Sequence, residues 1–303
     1  MLTNKREIME NSKQAQTEPQ KEITPQNSQA IAAGFKYEEL KLSIEQMLKF
    51  GVHFGHKKSR WNPKMKPYIF SEKGQIYIID LEKTLVLFEK ALEFVRHVAT
   101  NGGKIIFVGT KPQARHVIEE CAQYAGMPFV NNRWLGGTFT NYREVKKRIK
   151  YLNDQEDKME KGDLQKYTKY ERLRFKKEID RMNEKMGGIK KMDSLPQAIF
   201  VADSKENDLA VKEAKKMRIP VIGIVDTNTD PDPIDYLIPA NDDALSSLRF
   251  VVGLIAKTIK ESKNEIKTVP KTEKSVLKNK NNRKNDPLKK SDEMAGMGEN
   301  SPK

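Results

Sequence analysis

The runs Lys104-Ile-Ile-Phe-Val108, Ala198-Ile-Phe-Val-Ala202 and Pro220-Val-Ile-Gly-Ile-Val225 carry almost no polar side chain, so a strand built from any of them has no face to give to water. They are too short for helices and alternate with stretches of helical period, which predicts parallel strands buried under helices on both sides. From about Leu81 to Thr100 the chain sets Leu85, Phe88, Leu92 and Val95 on one face at steps of three and four, and Gly102-Gly103 closes that helix. Further helices are predicted over Pro112–Tyr124, from about Glu206 to Met217 and from about Asp243 to Ser262. Pro112 fits a first helical turn, where a missing N–H costs nothing. Pro128-Phe-Val130, Tyr68–Phe70 and Ile76–Ile79 add short strand-like runs. The expected fold is a doubly wound α/β domain.

From Tyr142 to about Met192 the pattern changes. No strand interrupts this stretch, and apolar residues recur at Val145, Ile149, Leu152 and Met159, then at Phe175, Ile179, Met182, Met186 and Ile189. Heptad-like spacing broken at Lys161-Gly162-Asp163 predicts an antiparallel helical hairpin inserted into the sheet domain at about residues 142–192. Its polar positions carry Lys146, Lys147, Arg148, Lys169, Arg172, Arg174, Lys176 and Lys177, partly balanced by Glu144, Glu156, Glu160, Glu171, Glu178 and Glu184. Such a face suits a solvated helix as well as a docking arm for RNA or protein.

The two ends differ in texture from the folded body at 39–262. Residues 1–38 are rich in Gln, Asn, Glu and Lys, with Ile8, Ile23 and Ile31 too scattered for a core, and residues 263–303 are basic and short of large apolar side chains. Both are expected to be disordered, the second as a flexible cationic tail. Lys and Arg number 56 against 42 acidic residues, a formal charge of +14, which favours a phosphate-rich partner bound with strong salt dependence. No apolar run approaches the roughly 20 residues that span a bilayer, and MLTNKREIMENSKQAQ lacks the apolar core of a secretory signal, so a soluble, cytosolic protein without membrane contact is expected. A single cysteine, Cys121, excludes an internal disulfide or a multi-cysteine zinc site, and its setting IEECAQYAG reads as the buried face of a helix.

Two stretches concentrate cationic and aromatic side chains. Between Gln46 and Ser71 the chain carries Lys49, Lys57, Lys58, Arg60, Lys64 and Lys66 with no carboxylate among them, together with Trp61, His53, His56 and the helix breakers Pro63 and Pro67. A one-signed stretch with flat rings suits a polyanion with faces to stack on, and RNA is the natural candidate. The second, Asn131–Arg143, directly follows a predicted strand; Arg133 and Arg143 can pair with phosphate, and Trp134, Phe139 and Tyr142 can stack. The competing reading folds Trp134 into the core and lets Thr140 or Asn141 cap the first hairpin helix. The turn Val108-Gly-Thr-Lys-Pro-Gln opens a helix, so Lys111 and Arg115 are further candidates for an RNA phosphate.

An enzyme is poorly supported by the same loops. Neither GxxxxGK[ST] nor GxGxxG occurs, so neither a P-loop nor a dinucleotide fingerprint is present. Asp226, Asn228 and Asp230 alternate as in a calcium loop, but Pro231 stands at the glycine position and Leu237 at the bidentate glutamate position. His53 and His56 in HFGH make only a thin zinc pair without a third ligand. No nucleophile stands beside a general base, and no catalytic residue, metal or cofactor is expected.

The motifs GVHFGHKKSRWNPKMKPYIF, IDLEKT, IIFVGTK, NNRWLGGTFTNY, GGIKKM, LPQAIFVAD and IPVIGIVDTNTDPDPIDYLIPANDDA, in this order from about Leu42 to Ser262, closely resemble the bacterial form of the ribosomal protein S2 family of the small subunit. The resemblance implies a flavodoxin-like α/β domain with a projecting antiparallel coiled-coil hairpin and no enzymatic activity. It also implies a cytoplasmic, ribosomal location, contacts with the ribosomal RNA and other proteins of the small subunit, no small-molecule substrate, and in many bacteria help in recruiting protein S1. On this reading the RNA-binding candidates are His53, His56, Lys57, Lys58, Arg60, Trp61, Lys64, Lys66, Lys111, Arg115, Arg133 and Arg143. The alternative is a nucleotide- or sugar-phosphate-binding α/β enzyme using the loops near Gly109 and Asp226.

Overall fold

The structure, a computed structural model, describes residues 37–161 and 168–268. The chain divides into two compact units, Met1–Leu40 and Lys41–Lys303. In the first, the described part is a single 3-10 turn, Tyr37–Glu39. Most of the predicted N-terminal extension, the predicted turn beyond Lys161 and the tail from residue 269 lie outside the described residues.

The second unit begins with α1 (Ile44–Lys49), whose Ser43 cap accepts from Gln46 N. A small antiparallel sheet follows, formed by β1 (Phe54–Lys57), β2 (Ile69–Lys73) and β3 (Ile76–Ile79) in the order β1-β3-β2. The large sheet comprises β4 (Ile105–Val108), β5 (Phe129–Val130), β6 (Ala198–Val201), β7 (Val221–Val225) and β8 (Tyr236–Pro239). All its pairings are parallel and its order is β5-β4-β6-β7-β8. Counted among the parallel strands alone this is 2-1-3-4-5, the order of flavodoxin-type sheets, and it reverses direction between β4 and β6.

The strands are buried on both faces because alternate side chains serve two separate cores. Ile106, Val108, Ile199, Val201, Val221 and Val225 join one hydrophobic cluster with Trp134, Phe139, Val145, Ile149, Met186 and Ala210. The intervening residues Ile105, Phe107, Phe200, Ile222 and Ile224 are equally buried, with the Phe107 and Phe200 rings 5.4 Å apart. On that side lie α2 (Leu81–Thr100), α3 (Pro112–Ala125) and α7 (Leu245–Thr268), with α7 packed against both of the others. α2 starts where Asp80 accepts from Glu82 N and Lys83 N, and Thr84 Oγ1 ties it to the sheet by donating to Pro239 O at 2.8 Å.

On the first face lie α4 (Tyr142–Glu160), α5 (Lys169–Met186) and α6 (Asp208–Lys216). α4 and α5 pack together and bury Val145, Ile149, Leu152, Ile179 and Met186. Thr168 and Glu171 form a reciprocal capping box at the start of α5. α7 runs to Thr268 rather than ending at the predicted Ser262, since no proline or glycine lies between these residues to stop a helix.

Candidate nucleic-acid interface

In a 2-1-3-4-5 sheet the ligand crevice is expected at the carboxyl ends of the two strands flanking the reversal, here β4 and β6. Charged groups of this chain fill that place. Lys111, one residue before α3, points its ammonium at Asp242 Oδ1 (3.0 Å) and Asp203 Oδ2 (3.6 Å) and also pairs with Asp243. Next to it His56 bridges Asp226 and Asp243, with Nδ1 and Nε2 each 3.1 Å from a carboxylate oxygen. Asp226 also accepts from Thr227 N, Thr227 Oγ1 and Asp242 N.

These contacts shift protons. Burial, together with the charges of Asp226 and Asp203, pushes the Asp242 carboxyl up to about 7 despite Lys111. The hydrogen bond to Asp226 raises His56 although burial opposes it. Burial lowers Lys111, but Asp243, Asp242 and Asp203 outweigh it and hold the ammonium charged. Gly109 is explained by packing rather than by a phosphate: a Cβ there would meet Ile118 Cγ1 at 2.7 Å and Ala114 and Ala202 Cβ at 3.2 Å. Lys111, predicted as a phosphate contact, is spent inside the protein, and its side chain is only 17% exposed.

His56, Asp242 and Asp243 offer ligand atoms within 4.8 Å of one another, so this trio has the donor set of a cation site, with Lys111 supplying positive charge to both aspartates. The HFGH spacing does not bring two imidazoles to one ion. The His53 ring lies 4.0 Å from Phe54, its Nδ1 is buried without a hydrogen-bond partner, and burial lowers its pKa. The suggested calcium loop does not converge either, because Asp226 turns inward to His56 while Asp230 binds Lys64.

The Gln46–Ser71 stretch, one-signed in sequence, is not so in space. Lys58 pairs with Glu72 at 2.8 Å, and Lys64 pairs with Asp232 and, at 2.8 Å, with Asp230, 166 residues away. Trp61 is half-buried and tilted against Tyr77 with centroids 5.1 Å apart, so it is not an open stacking platform. Among the described residues, Lys49, Lys57, Arg60 and Lys66 are exposed and have no ion-pair partner.

The Asn131–Arg143 loop likewise turns its rings inward. Trp134 and Phe139 are buried edge to face, centroids 4.8 Å apart, and Tyr142 Oη donates to Met192 O at 2.5 Å. Trp134 therefore follows the core reading, whereas Thr140 bonds to Glu213 and the Asn141 side chain makes no cap bond. Arg133 and Arg143 are exposed without an ion pair among the described residues, and Arg115 is exposed with Nε donating to Thr110 O at 2.9 Å. Met65 of the first stretch and Trp134 and Phe139 of the second share one hydrophobic cluster, so one core supports both.

Glu213 was not among the sequence candidates, and it organises this loop. Its carboxylate accepts from Gly137 N (2.7 Å), Phe139 N (3.0 Å), Thr140 N (3.3 Å), Thr140 Oγ1 and Trp134 Nε1 (3.4 Å each). Burial pushes this carboxyl up, but these donors outweigh it and hold it below the usual glutamate range. One signal was available: Glu213 lies three residues after Ala210 and one before Ala214, within the apolar stripe of its helix.

On α4 and α5 the expected balance of charge is only partly realised. Lys147 pairs with Glu144, Glu156 is taken by Lys190 and Asn183, and Glu171 caps its own helix. Among the described residues Arg148, Lys169, Arg172, Arg174, Lys176 and Lys177 are exposed and have no ion-pair partner. No helix among the described residues is long and apolar enough to cross a membrane.

The class defined here is a doubly wound parallel α/β domain whose strand-end crevice is filled by its own ion pairs, while cations that lack an ion pair among the described residues stand exposed on its loops and helices. The family model described as Ribosomal protein S2 matches residues 47–262, and the chain belongs to that family. Membership makes it a structural protein of the small ribosomal subunit, in a family that is generally non-catalytic.

Proposed function

We propose that this chain binds small-subunit ribosomal RNA through the cations that the fold leaves without carboxylates: Lys57, Arg60 and Lys66 of the first stretch, Arg133 and Arg143 of the second, and Arg115 in the first turn of α3. The observation that carries this reading is the sorting of charge. Lys58, Lys64, Lys111 and His56 are held by acids of the same chain, whereas these six cations are exposed and lack an ion pair among the described residues. His53 and Trp61 are engaged by neighbouring rings and take no part in the reading.

The paired helices α4 and α5 act as an antiparallel coiled-coil arm on a flavodoxin-like body, adding further cations that lack an ion pair among the described residues. Contacts with neighbouring small-subunit proteins, including protein S1, and a cytoplasmic setting rest on family membership. The test is sedimentation of a cell lysate with quantitative mass spectrometry of the small-subunit peak. Stoichiometric presence after a moderate salt wash is the expected result, and absence from that peak overturns the reading.

A further inference from the structure

Resting on that reading, we propose that Glu213 is a positioning residue for the interface: one inward-facing carboxylate fixes the loop from which Arg133 and Arg143 project. Glu213 is 6% exposed and has no cationic partner among the described residues. A buried carboxylate without a counter-ion persists only where fixed donors surround it. Here the donors come from residues 134–140, and three of them are backbone N–H groups, so satisfying the carboxylate determines the path of the main chain.

The path is a demanding one. Gly137 sits at φ 90°, in the region that side chains with a Cβ avoid, and the Trp134 indole is locked edge-on against Phe139. Arg133 immediately precedes the locked indole. Arg143 lies three residues after Thr140, in the first turn of α4. Both guanidinium groups therefore leave the protein from points set by the Glu213 hydrogen bonds.

Chemistry dictates the residue type. Glutamine would replace one acceptor oxygen by an NH2 group facing either Gly137 N–H or the Phe139 and Thr140 N–H pair, donor against donor. Aspartate has one methylene fewer and falls short of the same donors. In either case the loop must shift and the arginines with it.

The test uses the full chain and small subunits prepared without it, with binding measured across a salt series. The Arg133→Gln/Arg143→Gln variant is expected to bind about tenfold more weakly and to lower the slope of log K against log salt by about 1.5, the share of two phosphate contacts. Glu213→Gln is expected to reproduce most of that loss of slope and to add less than about twofold weakening on the Arg133→Gln/Arg143→Gln background, since positioning matters only while the arginines are present. A residue that merely stabilised the fold would weaken binding equally in both backgrounds and leave the slope unchanged.

Thr140→Val removes one donor from an exposed side chain and carries the same test should Glu213→Gln not fold; about twofold weakening, confined to the arginine-containing background, is expected. An unchanged slope, or equal weakening in both backgrounds, overturns the proposal. Unaltered binding by the arginine variant overturns the underlying RNA reading, and the positioning role with it.

Discussion

The turn after β4 and the loop after β5 share residue types, each carrying glycine, threonine and a cation within eight residues of its strand. Their charges are arranged in opposite ways. After β4 a cation points inward and carboxylates surround it, Lys111 among Asp203, Asp242 and Asp243. At the loop after β5 the inward group is a carboxylate supplied by α6, Glu213, and the cations Arg133 and Arg143 stay outside. The first arrangement consumes its positive charge to close a crevice, and the second leaves it available. Which sign is desolvated, rather than how many cations a loop carries, decides whether the loop can meet a phosphate.

The largest effects are expected from removing the inward charge at each place, Lys111 after β4 and Glu213, which α6 supplies to the loop after β5. Lys111→Met leaves buried Asp203 and Asp242 without their cation and should cost about 3 kcal/mol in denaturant unfolding. Glu213→Gln leaves N–H donors imperfectly satisfied and should cost less, on the order of 1–2 kcal/mol by the same measurement. A reversed order would contradict the view that the strand-end cluster is the tighter lock.

Titration sharpens it further. Folded His56 holds its proton above the ordinary value of 6.5, so its stabilisation is complete below pH 6.5 and is lost as pH rises through the raised folded value. Asp242, raised from 3.8 to about 7, contributes with the same sign over that interval. Glu213 behaves oppositely: its stabilisation is present above 4.5 and is lost as pH falls through its lowered folded value. Unfolding free energy followed from pH 6.5 upward should decline in the wild type and decline less in His56→Asn; equal slopes would remove His56 from the account. The smallest effect is expected at Lys57→Gln and Arg60→Gln, each within about 0.5 kcal/mol of wild type by thermal unfolding, because neither has an ion pair to lose among the described residues.

The buried strands and α2 were legible because each states its environment locally: β4, β6 and β7 as apolar runs, α2 as an apolar stripe closed by Gly102-Gly103. β1 and β8 were not. Phe54–Lys57 reads FGHK, with no apolar run, and pairs with a shifted register, and Tyr236–Pro239 ends in proline. The two cationic stretches were also legible, but the fate of their side chains was not. Lys64 finds its acids at residues 230 and 232, and Lys111 at 203, 242 and 243, separations over which no local pattern carries information. Trp134 shows the same limit: an aromatic beside arginine fits stacking on a base as well as packing in a core, and Glu213 on another helix decides between them.

On the reading proposed above, cations left without carboxylates, not cations in general, hold this chain on the small subunit. A direct test reconstitutes small subunits that lack the chain with either of two charge-matched variants, Lys57→Gln/Arg60→Gln/Arg133→Gln/Arg143→Gln or Lys58→Gln/Lys64→Gln/Lys83→Gln/Lys215→Gln, and measures incorporation by sedimentation across a salt series. All four lysines of the second set are already held by acids of the chain itself. Incorporation should fall at least tenfold for the first variant and by less than about threefold for the second at moderate salt. Equal loss in both would contradict the claim.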